Sequence, residues 1–300
     1  MQLIIILAVF FSSLAVPAVS AALICSASVQ PLVFGTVRGI AGQSSNTESR
    51  IVIACHGGET QTAKVCISIT PYSSGTRTML SASADQLGFT LTAEAPYSYG
   101  GRLWADEWVE IALDYKGDGA AEIPLFAETV PFGETTRPGH YSGQLSSPAD
   151  IRLEFGEGAC YQSSQIEDVQ VTAEVVSSCA IDVEDLNFGQ IDSRSALPAA
   201  ANAAVSVACT KGTNWRATLD MGQHPLSGER RMSNGSGMIA YGLYRDRNSS
   251  EPWDSTGVEG TAIGTGQTFM VYGQLVPEPS ANAGNYSDKV LILIEYDQGF

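Results

Sequence analysis

The chain has 300 residues, of which 44% are hydrophobic and 16% charged; 16 Lys and Arg stand against 32 Asp and Glu, a formal net charge of −16. This apolar share supports packed cores in two domains of ordinary size and excludes disorder. The acidic surface repels phosphate backbones and anionic lipid, so no nucleic-acid partner is expected.

Residues 1–21 read as a secretory signal. Leu3 to Phe11 is apolar, and Ala18-Val19-Ser20-Ala21 offers small residues for cleavage. No later stretch is apolar for long enough to span a bilayer. Export carries the six cysteines into an oxidising compartment, where disulfides persist.

Repetition organises the rest. Cys25 and Cys55 lie thirty positions apart, as do Cys179 and Cys209. Each first cysteine is followed nine residues later by Phe-Gly, at Phe34-Gly35 and Phe188-Gly189. The chain is therefore read as one fold written twice, each copy with its own disulfide. Arg50–Cys55 and Val205–Cys209 read as strands that end the two disulfide loops.

In Lys64–Thr70, Val65, Ile67 and Ile69 alternate with Cys66, Ser68 and Thr70. A strand there turns Cys66 away from the apolar face. Cys66 can then tie down an outer segment holding Cys160, and this is the third pairing expected among the fifteen connectivities that six cysteines allow.

Thr78-Met79 matches Arg231-Met232, and Phe89-Thr90-Leu91 matches Tyr241-Gly242-Leu243. Trp104 falls near the register of Trp253 and reads as core. Gly139-His140-Tyr141-Ser142 matches Gly284-Asn285-Tyr286-Ser287, with last strands at Ile151–Phe155 and Val290–Tyr296. Thirty glycines and thirteen prolines punctuate these runs. Short strands between turn clusters predict an all-β chain of two β-sandwiches. The Ala-rich stretch Ser195–Val205 is the one helix candidate, and a loop serves it equally well.

The two copies diverge most at Ala95–Ala120. Here Tyr97 and Tyr99 stand among Ser and Gly, followed by Leu103, Trp104 and Trp108. Val130-Pro131-Phe132-Gly133 forms a second apolar turn. Aromatic residues on adaptable loops suit surface contact, which makes Tyr97, Tyr99, Leu103 and Phe132 the binding candidates. Trp108 precedes the alternating run Val109–Tyr115 and reads as core. Between the copies, Val169, Val171, Ala173 and Val175 alternate with Gln170, Thr172 and Glu174.

Enzyme chemistry finds little support. His56, His140 and His224 are far apart, and neither H-E-x-x-H nor G-x-S-x-G occurs. Asp114, Asp118 and Gly119 lack the ligand spacing of an EF-hand and read as a solvated acidic turn. No catalytic residue, metal or cofactor is expected, and scattered carboxylates single out no glycosidase pair.

These residues resemble the spore coat protein U domain, the pilin module of archaic chaperone–usher fibres. The second copy carries the resemblance best, through Cys179, Phe188-Gly189, Cys209, Met232, Tyr241–Asp246, Trp253, Gly257–Gly266, Tyr272-Gly273 and Gly284–Asp288. The first copy keeps its cysteines, Phe34-Gly35 and Gly139–Ser142, and departs in the middle. The resemblance implies immunoglobulin-like sandwiches, with the C-terminal one an incomplete pilin fold lacking one strand. It implies as partners a periplasmic pilus chaperone, an outer-membrane usher and the next pilin subunit by donor-strand exchange.

The expected layout is a signal peptide at 1–21, an adhesin-like sandwich at 22–156, a linker or cis donor strand at 157–178, and a pilin-like sandwich at 179–300. Val169, Val171, Ala173 and Val175 are the donor-strand candidates. After cleavage near Ala21, only Ala22, Leu23 and Ile24 precede Cys25, too few to donate a strand. The expectation is therefore a two-domain tip adhesin, exported through the periplasm to a pilus tip. A secreted coat or fibre protein with no adhesive site stands as the alternative.

Overall fold

The structure, a computed structural model, describes residues 22–69, 75–92, 107–195 and 197–298. Among the described residues there are strands and no helix. The first twelve strands are β1 (Ile24–Val29), β2 (Leu32–Arg38), β3 (Asn46–His56), β4 (Thr62–Ile69), β5 (Thr76–Ser81), β6 (Gln86–Thr92), β7 (Glu107–Ala112), β8 (Gly119–Thr129), β9 (Gly139–Leu145), β10 (Ile151–Gly156), β11 (Gln162–Ser164) and β12 (Val169–Val176). They build an eight-stranded sheet ordered β1-β3-β8-β6-β5-β9-β12-β2, and a four-stranded sheet ordered β11-β10-β4-β7.

Period-two patterning packs one sheet on the other. In β4, Ala63, Val65, Ile67 and Ile69 are buried, while Lys64, Cys66 and Ser68 are half-buried on the other face. Cys66 there reaches Cys160, just before β11, across a Cα separation of 6.1 Å. Cys25 and Cys55 sit directly opposite one another on β1 and β3, with Cα atoms 4.0 Å apart.

The second sandwich begins at β13 (Cys179–Val183) and continues through β14 (Ala199–Cys209), β15 (Asn214–Leu219), β16 (Arg230–Ser233), β17 (Met238–Tyr244), β18 (Val258–Thr261), β19 (Gln267–Leu275) and β20 (Ile292–Tyr296). Its sheets run β13-β14-β19-β17-β16 and β18-β15-β20. Cys179 and Cys209 are opposite partners here too, at 4.1 Å. The Ala-rich stretch is a strand from Ala199 onward, paired with β19 from Ala199↔Leu275 to Val207↔Gln267. Tertiary pairing overrides the helix propensity of alanine.

The repeat extends to register. Leu80 faces Ser142 in the first copy, and Ser233 faces Ser287 in the second. Arg77 faces Phe89 and Arg230 faces Tyr241, and both arginines are buried. The Tyr141 hydroxyl donates to the Arg137 carbonyl at 2.8 Å, and the Tyr286 hydroxyl to the Asn282 carbonyl at 2.9 Å. Each tie spans four residues and fixes the corner that leads into the same segment.

A polar seam joins the copies. Thr210 and Ser178 exchange backbone and side-chain hydrogen bonds, Thr213 reaches Ser177, and the Lys211 ammonium donates to the Glu134 carbonyl. Ser177, Ser178, Thr210 and Thr213 are all buried.

Candidate functional site

The donor-strand candidates lie within the large sheet of the first sandwich. β12 runs antiparallel to β9, from Val169↔Leu145 to Val175↔Gly139, and parallel to β2, from Val171↔Leu32 to Val176↔Arg38. Val169, Val171, Ala173 and Val175 are buried, and Gln170 and Glu174 face away. Each valine removed from water stabilises the sandwich by roughly 1.5–3 kcal/mol.

The corresponding lane of the second sandwich differs. It is bordered by residues 184–191, which carry Phe188-Gly189, and by residues 284–291. Among the described residues no strand and no ladder joins these two borders. The side chains that would face a strand there are half-exposed. Leu32, Phe34, Phe89, Tyr141 and Leu145 are buried in the first copy, whereas Leu186, Phe188, Tyr241, Tyr286 and Val290 are all half-buried in the second. Ile292, Ile294 and Tyr296 continue this partly wet core. Half-exposed core side chains and unpaired backbone edges together invite a strand.

The surface-binding candidates fare differently. Tyr97, Tyr99, Leu103 and Trp104 lie outside the described residues. Phe132 is not a surface residue: it is only 3% exposed and belongs to the first core. Its amide donates to the Gln43 carbonyl and its carbonyl accepts from the Gly42 amide, which folds the turn back and drives the ring inward. Trp108 reverses expectation in the other direction and is 61% exposed. In β7 the core face is that of Ile111, so Trp108 and Glu110 point outward. Trp253 is buried and donates its indole N–H to the Ala217 carbonyl at 3.1 Å.

Trp108 has company that the sequence reading missed. The Lys64 ammonium lies 4.9 Å from its ring centre, and Tyr161, beside Cys160, is 65% exposed. Tyr115, in the turn between β7 and β8, is almost wholly exposed. The outward direction of Cys66 was the available signal, since Trp108 is its cross-strand partner. In the same turn, the Asp114 carboxylate accepts the Lys116 and Asp118 amides at 2.8 and 3.0 Å. The Asp118 and Lys116 hydrogen bonds hold its pKa below the ordinary carboxylate value. The carboxylate is thus occupied as a turn former.

Residues 165–292 match the Spore Coat Protein U domain. The match takes in β12 together with nearly all of the second sandwich. Among solved structures, one similar chain is in the CsuC–CsuE chaperone–tip adhesion subunit pre-assembly complex from the archaic chaperone-usher Csu pili of Acinetobacter baumannii. It is 15% identical, with 90% of this chain and 100% of that chain covered and a TM-score of 0.52, which establishes a shared fold. The CupB6 tip adhesin from Pseudomonas aeruginosa is 12% identical over 92% of this chain and 94% of that one, with a TM-score of 0.29. No curated protein matches the chain.

Proposed function

We propose that this protein is a fibre-tip subunit, an adhesin, of an archaic chaperone–usher pilus. Its second sandwich accepts a donor strand, and its first contacts surfaces. One contrast carries the reading: β12 fills the lane between β2 and β9, while the same lane in the second copy is lined by half-buried Leu186, Phe188, Tyr241, Tyr286 and Val290. The first sandwich is then completed in cis by a segment that would otherwise be free to complete a neighbour. The extent of the Spore Coat Protein U match, which opens upstream of β12, supports treating that strand and the second sandwich as parts of one module.

Assembly follows from the chemistry of an open lane. A periplasmic chaperone covers the lane by strand addition and hands the subunit to an outer-membrane usher. The N-terminal strand of the next subunit then replaces the chaperone. Exposed Trp108, Tyr115 and Tyr161 support surface contact through the first sandwich. Many weak contacts, presented on many fibres, add up to firm attachment.

The test is expression in a periplasm with and without the chaperone of the protein's own locus, followed by native mass measurement. Recovery only as a 1:1 complex is expected. A stable soluble monomer made without chaperone overturns the reading.

A further inference from the structure

The two copies hold the same segment by different means, and the difference falls on one pair of residues. In the first copy, residues 139–145 are paired along their length with β12. In the second, residues 284–291 have no such neighbour among the described residues. Tyr241 stands where the first copy has Phe89, as the matching partners Arg230 and Arg77 require. Asp288 stands where the first copy has Gly143, one residue beyond the matched Ser287 and Ser142. Gly143 sits in a tight place, because a Cβ there would lie 3.2 Å from both the Met79 side chain and the Thr78 carbonyl.

The substituted pair interacts directly. The Tyr241 hydroxyl donates to the Asp288 carboxylate at 2.6 Å, and that side chain is only 2% exposed. Its other oxygen accepts the Gln223 amide at 2.8 Å, and His224 Nδ1 lies 3.5 Å away. Gly222, at φ +73°, leaves the space the carboxylate occupies, since a Cβ would collide with it. Two further ties hold the same segment. Asp220 accepts the Leu291 amide at 2.9 Å through its carboxylate and donates its own amide to the Leu291 carbonyl at 3.0 Å. Ser233 and Ser287 exchange two backbone hydrogen bonds.

We infer that the Tyr241–Asp288 hydrogen bond is a clamp that holds residues 284–291 extended while no strand occupies the lane, and so positions that border to receive one. The inference rests on the open-lane reading given above. Its physical basis is entropy. A border without a ladder samples many backbone states, and a partner strand must order all of them on binding. A short charge-assisted bond to a buried carboxylate removes part of that cost beforehand. Burial first, and then Asp288, push the Tyr241 hydroxyl well above its ordinary pKa, so it stays protonated as the donor at physiological pH. The first copy, completed by β12, makes do with a phenyl ring and a glycine at these two places.

The test uses the full mature chain, released from its 1:1 chaperone complex immediately before measurement, and a synthetic peptide copying residues 167–178, the segment that fills this lane in the first sandwich. Peptide affinity and hydrogen exchange at residues 284–291 are measured for the native protein, Asp288→Asn and Tyr241→Phe. Tyr241→Phe keeps the ring against Phe188 and deletes only the hydroxyl, so it guards against a variant that fails to fold. Faster exchange and about tenfold weaker peptide binding in Tyr241→Phe are expected. Asp288→Asn removes the charge and leaves the hydroxyl an amide partner, so its loss should be of the same kind and smaller than that of Tyr241→Phe. Faster exchange with unchanged affinity overturns the clamp, leaving a merely structural bond and an intact open-lane reading. A native protein that binds no peptide overturns the open-lane reading and the clamp with it.

Discussion

The ring of Phe188 meets the ring of Tyr241 edge-on, with centroids 6.2 Å apart and planes at 69°. In the first copy Phe34 meets Phe89 in the same way, at 6.4 Å and 69°. Edge-to-face contact is the geometry that aromatic quadrupoles favour. Each phenylalanine is followed by a glycine in the left-handed region, Gly35 at φ +67° and Gly189 at φ +71°. The Phe-Gly spacing in the sequence thus records a ring laid against an aromatic partner and a backbone that turns immediately after it.

Gly35→Ala and Gly189→Ala test this separately in the two sandwiches. Nothing stands within 4 Å of a Cβ at either position, so the cost is conformational and not steric. Each should destabilise its own sandwich by about 1 kcal/mol. Denaturant unfolding followed by probes in each sandwich should register the loss in one and not in the other.

Val171→Asn probes β12. Val171 is fully buried between Leu32 and Gly143, and an amide there finds no water. A loss of about 3 kcal/mol is expected in the first sandwich, with the second unchanged. Calorimetry resolving the two transitions checks it. Equal loss in both, or in neither, would remove β12 from its role as the strand that completes the first core.

Much of this architecture was legible because it rests on period and spacing. The alternation of Val65, Ile67 and Ile69 gave both the buried face of β4 and the outward direction of Cys66. The matched cysteines gave two disulfides, and the matched Gly-x-Tyr-Ser segments aligned the two copies near their ends. What escaped depended on groups far apart in the chain. Phe132 reads as an exposed turn until the backbone of Gln43 and Gly42 is seen to hold it inward. Trp108 reads as core because the run after it alternates, yet the phase of β7 is set by Ile111. The Tyr241–Asp288 pair escaped because its members stand 47 residues apart in the chain and only the folded sheet brings the hydroxyl to the carboxylate.

Cys66 and Cys160 offer a third test. They are separated by 94 residues, so their bond closes most of the first sandwich into one loop. In the chain-entropy account, replacing both by serine costs about 4–5 kcal/mol. The outer segment through Tyr161 should loosen first, since it is held by short β11 and by this bond. Proteolysis and hydrogen exchange should open at residues 157–164 before β4 or β10.

Trp108 separates the adhesive reading from a purely structural one. Its indole is exposed and touched by Lys64, a contact worth about 0.5–1 kcal/mol at such a site. Trp108→Ala should therefore lower the melting temperature by no more than a few degrees and remove a readily quenched component of tryptophan emission, since the other two described tryptophans, Trp215 and Trp253, are buried. Tyr161→Ala is similarly placed on an exposed side chain. If this outer face makes the contact, each variant should weaken attachment of assembled fibres severalfold, and the pair should do so further, because attachment multiplies many weak contacts. Fibre number, counted by electron microscopy, should not change. Undiminished attachment in the double variant would exclude the Trp108–Tyr161 face. Loss of fibres together with attachment would mean that this face serves assembly instead.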